Sequence, residues 1–170
     1  MGGFRTFRTE VEHMLPDHLK EQPAAAAVDA FDADALMGGT LAYGELTLEI
    51  AAAKIASVCG FLKYDQKFVR LSAVTAVDRY PAEPRFEIVY QLHCIERNER
   101  LRLKCRLAGA EPTIESVTGV WRGANWYERE IFDLFGLKFL NHPDLRRILL
   151  PDDWEGYPLR KDYPVMGPRA

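Results

Sequence analysis

Five residues able to carry protons or bind a metal fall within seventeen positions: Glu128, Glu130, Asp133, His142 and Asp144, with Arg129 set among the acids. Carboxylates and an imidazole at such spacing are the raw material of general acid–base chemistry. The rest of the chain does not complete an active site. No nucleophile motif and no Gly-rich phosphate loop after a strand accompany them, and His13, His18 and His93 fall in other segments. The competing reading is structural, with these charges acting as a bracket that locks the chain to something else.

The totals narrow the choice. A chain of 170 residues, 48% hydrophobic and 28% charged, is long enough for one well-cored domain. A net charge of −3 argues against a nucleic-acid footprint, and the aromatic motif of RNA-recognition sheets is missing. No run of about 18 apolar residues is present to span a bilayer. The opening "MGGFRTFRTEVE" lacks the apolar core of a secretory signal. Cys59, Cys94 and Cys105, odd in number and without CxxC spacing, read as free core thiols unsuited to a metal or iron–sulfur centre.

Hydrophobic periodicity sets the elements that must position the charges. Residues 9–22 read as a helix through Val11, Met14, Leu15 and Leu19, and the alanine-rich stretch 23–39 as helix or loosely ordered chain ending at Gly38-Gly39. Residues 44–50 alternate as a strand with Leu46, Leu48 and Ile50 on one face, and 51–62 carry helical spacing. Strands follow at 68–79, 86–96, 99–107 and about 114–121, joined by turns short enough to require antiparallel pairing. A hairpin turn centred on Arg97-Asn98 sets Cys94 opposite Leu101 and Cys105 opposite Tyr90. The expected fold is α+β, an antiparallel sheet of four to five strands with helices mainly on one face, followed by an extended C-terminal strap. Its expected divisions are a variable helical segment over 1–43, a core domain over 44–139 and the strap over 140–170.

"NWYEREIFDLFG" reads as a helix with Asn125 as N-cap, Glu128 in a box-like start and Gly136 as the stop. Tyr127, Ile131, Leu134 and Phe135 form its core stripe, whereas Trp126, Arg129, Glu130 and Asp133 point away. Glu128 lies on the flank of the apolar face, where a carboxylate must cap backbone or meet a cation. Beyond Phe139 the periodicity ends, in a segment that holds five of the ten prolines, Trp154, Tyr157 and Tyr163, and five basic against five acidic residues. Such a segment reads as a strap with aromatic anchors for a partner's grooves, its Arg146, Arg147, Arg160 and Lys161 pairing with acids there.

"EREIFDLFGLKFLNHPDLRRIL" followed by "LPDDWEGYPLRKDYP" resembles the signature of the 30 kDa subunit family (the C subunits) of proton-pumping NADH:quinone oxidoreductase, respiratory complex I. The match runs from Glu128-Arg129-Glu130 through Asp133, Leu134-Phe135, His142, Asp144, Arg146 and Arg147 to Trp154, Arg160, Lys161 and Asp162, and extends loosely over 44–165. Val69-Arg70 departs from the family's usual more apolar or acidic step. The resemblance implies a non-catalytic peripheral-arm subunit that packs beside the large quinone-pocket (D) subunit, with the B and I subunits as neighbours. It also implies that these residues, Leu134 and Phe135 apart, form the motif and partner interface. The chain itself would bind no cofactor, FMN, iron–sulfur clusters and quinone residing on other subunits. The resemblance places the protein on the cytoplasmic side of a bacterial inner membrane, held there through the complex. The alternatives are the equivalent subunit of a membrane-bound hydrogenase or of an F420H2 or plastid-type dehydrogenase, and, more remotely, a stand-alone enzyme using Glu128 or Glu130 with His142 and Asp144.

Overall fold

Alternation of period two builds most of the domain. In a computed structural model that describes residues 17–164, strands β1 (Leu36–Ala42), β2 (Glu45–Ile50), β3 (Arg70–Asp78), β4 (Phe86–Cys94) and β5 (Glu99–Leu107) form one sheet in the order β1-β2-β5-β4-β3. Helices α1 (Asp17–Lys20), α2 (Pro23–Phe31), α3 (Ile55–Tyr64) and α4 (Ala124–Phe135) supply the second layer. Val28, Val58, Leu62, Ile131 and Phe135 from these helices share one buried cluster with Leu48, Ile88, Tyr90, Leu103 and Cys105 from the sheet. A short parallel pair, β6 (Thr113–Glu115) with β7 (Lys138–Leu140), clasps the two ends of the segment containing α4.

Four expectations need correction. The sheet is mixed, because β2 runs parallel to β5 while β3, β4 and β5 form antiparallel hairpins. The tight-turn argument applies only to consecutive strands, and β2 reaches β5 through α3, β3 and β4. Residues 36–42 are a strand, although Gly38-Gly39 suggested a stop. The true punctuation is Tyr43-Gly44, both at positive φ, the backbone that a two-residue hairpin needs. Gly39 serves close approach instead, since a Cβ there would lie 2.6 Å from the Thr47 carbonyl oxygen.

The β4–β5 hairpin is registered two residues from expectation, with Cys94 opposite Glu99, Leu92 opposite Leu101 and Ile88 opposite Cys105. Its loop takes Ile95 to Asn98, and Asn98 absorbs a left-handed φ of 50°. A slip of two keeps every side chain on its face, so all three cysteines remain buried free thiols. The strand expected over 114–121 is extended only to Glu115. Thereafter the chain turns, burying Val117 and Trp121, whose indole N–H donates to the Val69 carbonyl at 3.0 Å. Of the helix expected over 9–22, Asp17–Lys20 is present, and residues 9–16 lie outside the described residues.

Candidate functional site

Helix α4 is where the signature residues gather, and its N-terminus differs from expectation. Gly123 precedes the first turn without a side-chain cap, and Asn125 lies inside the helix. The Glu128 side chain is therefore free of the box and fully buried. Its Oε1 accepts the Val117 N–H at 2.8 Å and its Oε2 accepts the Ser116 hydroxyl at 2.6 Å, which fixes the loop leaving β6. Burial outweighs these two bonds and pushes the carboxyl up to about 7. His142 Nε2 stands 3.9 Å from Glu128 Oε2, with both side chains sealed from solvent. The imidazole accepts the Asp144 N–H at Nδ1 and faces the Asn125 carbonyl through Nε2, so the proton sits on Nε2. Burial holds its pKa below the usual range.

Arg129 and Asp133 point away from the sheet, as expected from the helix wheel, yet neither is exposed. Residues 141–164 fold back over that side of α4 and bury them. Asp133 Oδ2 accepts three consecutive backbone N–H groups, from Ile148, Leu149 and Leu150, at 2.9, 2.7 and 2.9 Å. Its Oδ1 takes Arg147 Nη1 at 2.7 Å. Burial alone would raise this carboxyl, but the N–H of Leu150, the Arg147 guanidinium and the N–H groups of Ile148 and Leu149 outweigh it and hold the pKa low. Arg129 completes the bracket by donating to the Arg146 and Arg147 carbonyls at 3.2 and 3.1 Å while lying 5.3 Å from the Trp126 ring.

The basic residues expected to seek a partner's acids thus meet their own chain. Arg147 also donates to the Trp154 carbonyl at 2.9 Å, and Arg146 pairs with Asp144 at 2.9 Å on the surface. Arg160 Nε donates to the Phe135 carbonyl at 2.6 Å, at the C-terminus of α4 where unsatisfied carbonyls and the helix dipole favour a cation. Its guanidinium lies 4.7 Å from the Tyr157 ring and 5.3 Å from that of Phe86. Lys161 contributes its backbone N–H, donated to Asp78 Oδ2 at 2.8 Å. Glu130 is exposed, as are Trp126, Leu149 and Trp154.

Two residues that sequence reasoning passed over complete the strap's anchorage. Arg85 grips Asp78 with two bonds, at 2.9 and 2.8 Å, and Asp162 with two more, at 2.9 and 2.7 Å. The Arg85 guanidinium, joined by the Lys161 and Tyr80 N–H groups, lowers the Asp78 pKa to about 2 despite burial. The signal was present in "VTAVDRY": Val74, Ala76 and Asp78 share the buried face, and an acid in an apolar alternation calls for a cation.

Gly136 joins the helix to the strap. It takes φ of 72°, and a Cβ there would lie 2.5 Å from Tyr157 and 2.8 Å from Arg160. Gly136→Ala is expected to cost about 1–2 kcal/mol in backbone conformation alone, plus the displacement of Tyr157 and Arg160. Thermal unfolding together with trypsin cleavage after Arg160 and Lys161 measures both, and an unchanged cleavage rate would show that the strap does not depend on this close approach.

Together the fold and its bracket define a class of protein: a helix-backed mixed sheet whose motif charges secure a C-terminal strap. The chain belongs to the respiratory-chain NADH dehydrogenase 30 kDa subunit family, whose model matches residues 48–169. It is 46% identical over 151 residues to the NADH-quinone oxidoreductase C subunit of Geobacter sulfurreducens, covering 88% of each chain. It is 51% identical over 126 residues to the corresponding subunit of Trichlorobacter lovleyi, covering 74% of this chain and 78% of the relative. Among solved structures, Nqo5 of a trypsin-resistant fragment (1-134) is similar with a TM-score of 0.58 and 27% identity, over 63% of this chain and 88% of that one. A chain of the membrane-bound sulfane sulfur reductase, an archaeal respiratory membrane complex, matches with a TM-score of 0.72 and 26% identity over 82% of each.

Proposed function

We propose that this chain is the non-catalytic 30 kDa peripheral-arm subunit of a proton-translocating NADH:quinone oxidoreductase, and that it gives rigidity to the quinone module. The observation that carries the reading is how the signature charges are used. Glu128, Arg129, Asp133 and Arg147 are engaged with the chain's own backbone, in a family whose named relatives are subunits of that enzyme. A stand-alone acid–base site is disfavoured on the same grounds. Glu128 and His142 are side chains with no exposed surface, so no substrate reaches them.

In this reading the strap's inner side holds its own domain and its outer side presents anchors. Leu149 and Leu159 are exposed there and Trp126 is exposed on α4, suited to grooves of the large quinone-pocket (D) subunit, with the B and I subunits as further neighbours. The chain itself holds no cofactor, and the flavin, iron–sulfur clusters and quinone belong to other subunits. No helix among the described residues is long and apolar enough to cross a membrane. In this reading, attachment to the cytoplasmic side of the inner membrane runs through the complex. The likeness to the sulfane sulfur reductase chain supports a second reading, an equivalent subunit in a related membrane complex.

The test is to purify the tagged chain from membranes in mild detergent and assay NADH:quinone reductase activity with iron–sulfur signals. Co-purification with an active assembly supports the first reading, activity with another electron donor supports the second, and a monomeric chain refutes both. Within an active assembly, Glu130→Ala combined with Leu149→Ala is expected to lower assembled yield several-fold and leave turnover per complex unchanged. Normal yield with collapsed turnover would replace scaffolding by a direct role near the quinone.

A further inference from the structure

The sheet face opposite the helices is a lattice of charges, and all but one end of it is neutralised. Arg102 pairs with Glu45 at 2.6 Å, Arg106 with Glu49 at 3.4 Å, and Glu87 receives both Lys104 and Arg79 at 3.2 and 3.1 Å. The exception is a single cross-strand row. Arg70 of β3 stands opposite His93 of β4, which stands opposite Arg100 of β5. Among the described residues, neither arginine has an ion-pair partner, and both are exposed. His93 is half-buried, its Nε2 lying 3.3 Å from Asn98 Oδ1. The row lines a groove of about 430 Å³ together with Ser72, Gln91 and Arg102.

The two arginines stand two strands apart with His93 between them, and among the described residues no carboxylate pairs with either. They do nothing for an isolated sheet that elsewhere alternates its signs, so their arrangement calls for an external anion. Adjacent strands are about 4.8 Å apart, so the row presents charge along roughly 10 Å. That span suits two carboxylates on one peptide segment. A nucleic acid fits poorly, because the chain is net negative and Glu45 stands at the groove's edge. A membrane surface calls for a broad basic patch, and the neighbouring rows of this face are already neutral.

We infer that the Arg70–His93–Arg100 row docks an acidic segment of another subunit, on the opposite side of the sheet from the strap. This rests on the chain being a subunit of a larger assembly, so the experiment carries a control for that reading. Arginine does not react with a carboxylate under carbodiimide activation, but lysine does, condensing with it to an amide with loss of water. A complex carrying Arg70→Lys and Arg100→Lys is purified, treated with a water-soluble carbodiimide and mapped by mass spectrometry.

Amide links from position 70 or 100 to an aspartate or glutamate of another subunit are the expected result. In parallel, Arg70→Glu with Arg100→Glu should lower co-purified complex at least fivefold, while the isolated variant melts as the wild type does. Links confined to Glu45 of the same chain, or wild-type yield from the charge-reversed variant, would overturn the proposal. So would loss of binding to vesicles containing 30% phosphatidylglycerol with assembly intact, which would assign the row to lipid. Failure of the wild-type chain itself to co-purify with any assembly refutes the subunit reading, and the docking site falls with it.

Discussion

Asp133→Asn is expected to loosen the strap more than any other single exchange in the bracket. The wild-type carboxylate is fully buried and satisfies three backbone N–H groups on one oxygen and Arg147 on the other. An amide keeps one acceptor and turns its NH₂ toward donors on the other side. Either Arg147 or the three backbone N–H groups then face that NH₂, donor against donor, without an acceptor. Breaking a buried ion pair by removing one partner costs about 3–5 kcal/mol. For a chain of this length that corresponds to a melting temperature roughly 10 °C lower.

The local consequence is more diagnostic than the global one. Arg146 and Arg147 are trypsin sites whose carbonyls Arg129 holds against α4. In the variant, cleavage there should accelerate at least tenfold under conditions where the sheet stays folded. The pH dependence follows from the lowered carboxyl. Its stabilisation is present above the ordinary carboxylate range and is lost as the pH falls through the folded value. The gap between wild type and variant should therefore be constant from about pH 6 upward and close in strong acid. Equal melting and equal cleavage at neutral pH would mean that the strap is held from elsewhere.

That expectation was only half legible in the sequence. The wheel of α4 correctly set Asp133 and Arg129 off the sheet, but direction away from one layer is not exposure when a later segment supplies another. Nothing in "NHPDLRRILL" announces that three successive N–H groups will converge on one carboxylate. Hydrogen bonds from an irregular segment leave no periodic trace, whereas strands do. Leu46, Leu48 and Ile50 could be placed on the core face from alternation alone, and all three are buried there. The same logic explains the failure at 36–42. Its burial does not alternate cleanly, because β1 is an edge strand, and paired glycines mimic a terminator. The hairpin register slipped by two for a related reason: alternation fixes the face, while loop length fixes the offset.

The second large effect concerns Glu128, whose behaviour with pH should be opposite in sign to that of Asp133. Burial raises its carboxyl to about 7, so the folded protein holds this proton more tightly than the unfolded chain does. The associated stability is fully present below the unfolded carboxylate value and is lost as pH rises through about 7. The difference amounts to about 3 kcal/mol between roughly pH 4.5 and 8.5. Glu128→Gln imitates the protonated form. Its amide oxygen can accept the Val117 N–H, and its NH₂ can face the Ser116 hydroxyl. The variant should match wild type near about pH 5 and exceed it in urea unfolding at about pH 8.5.

His142 is linked to pH with the reverse sign. Its depressed pKa makes stability fall as acid forces a charge onto the imidazole. At about pH 8.5 the imidazole, its pKa held below the ordinary value, is neutral in both proteins, so the difference measured there reports Glu128. Glu128→Ala is the necessary contrast, since it strips the buried Val117 N–H of its acceptor and should cost about 1–3 kcal/mol even near pH 5. If the Gln variant is instead less stable than wild type at about pH 8.5, the carboxylate is charged in the fold and its partners outweigh burial. Glu128 would then be a buried anion held by Ser116 and Val117, and the junction between α4 and the loop leaving β6 would strengthen with rising pH.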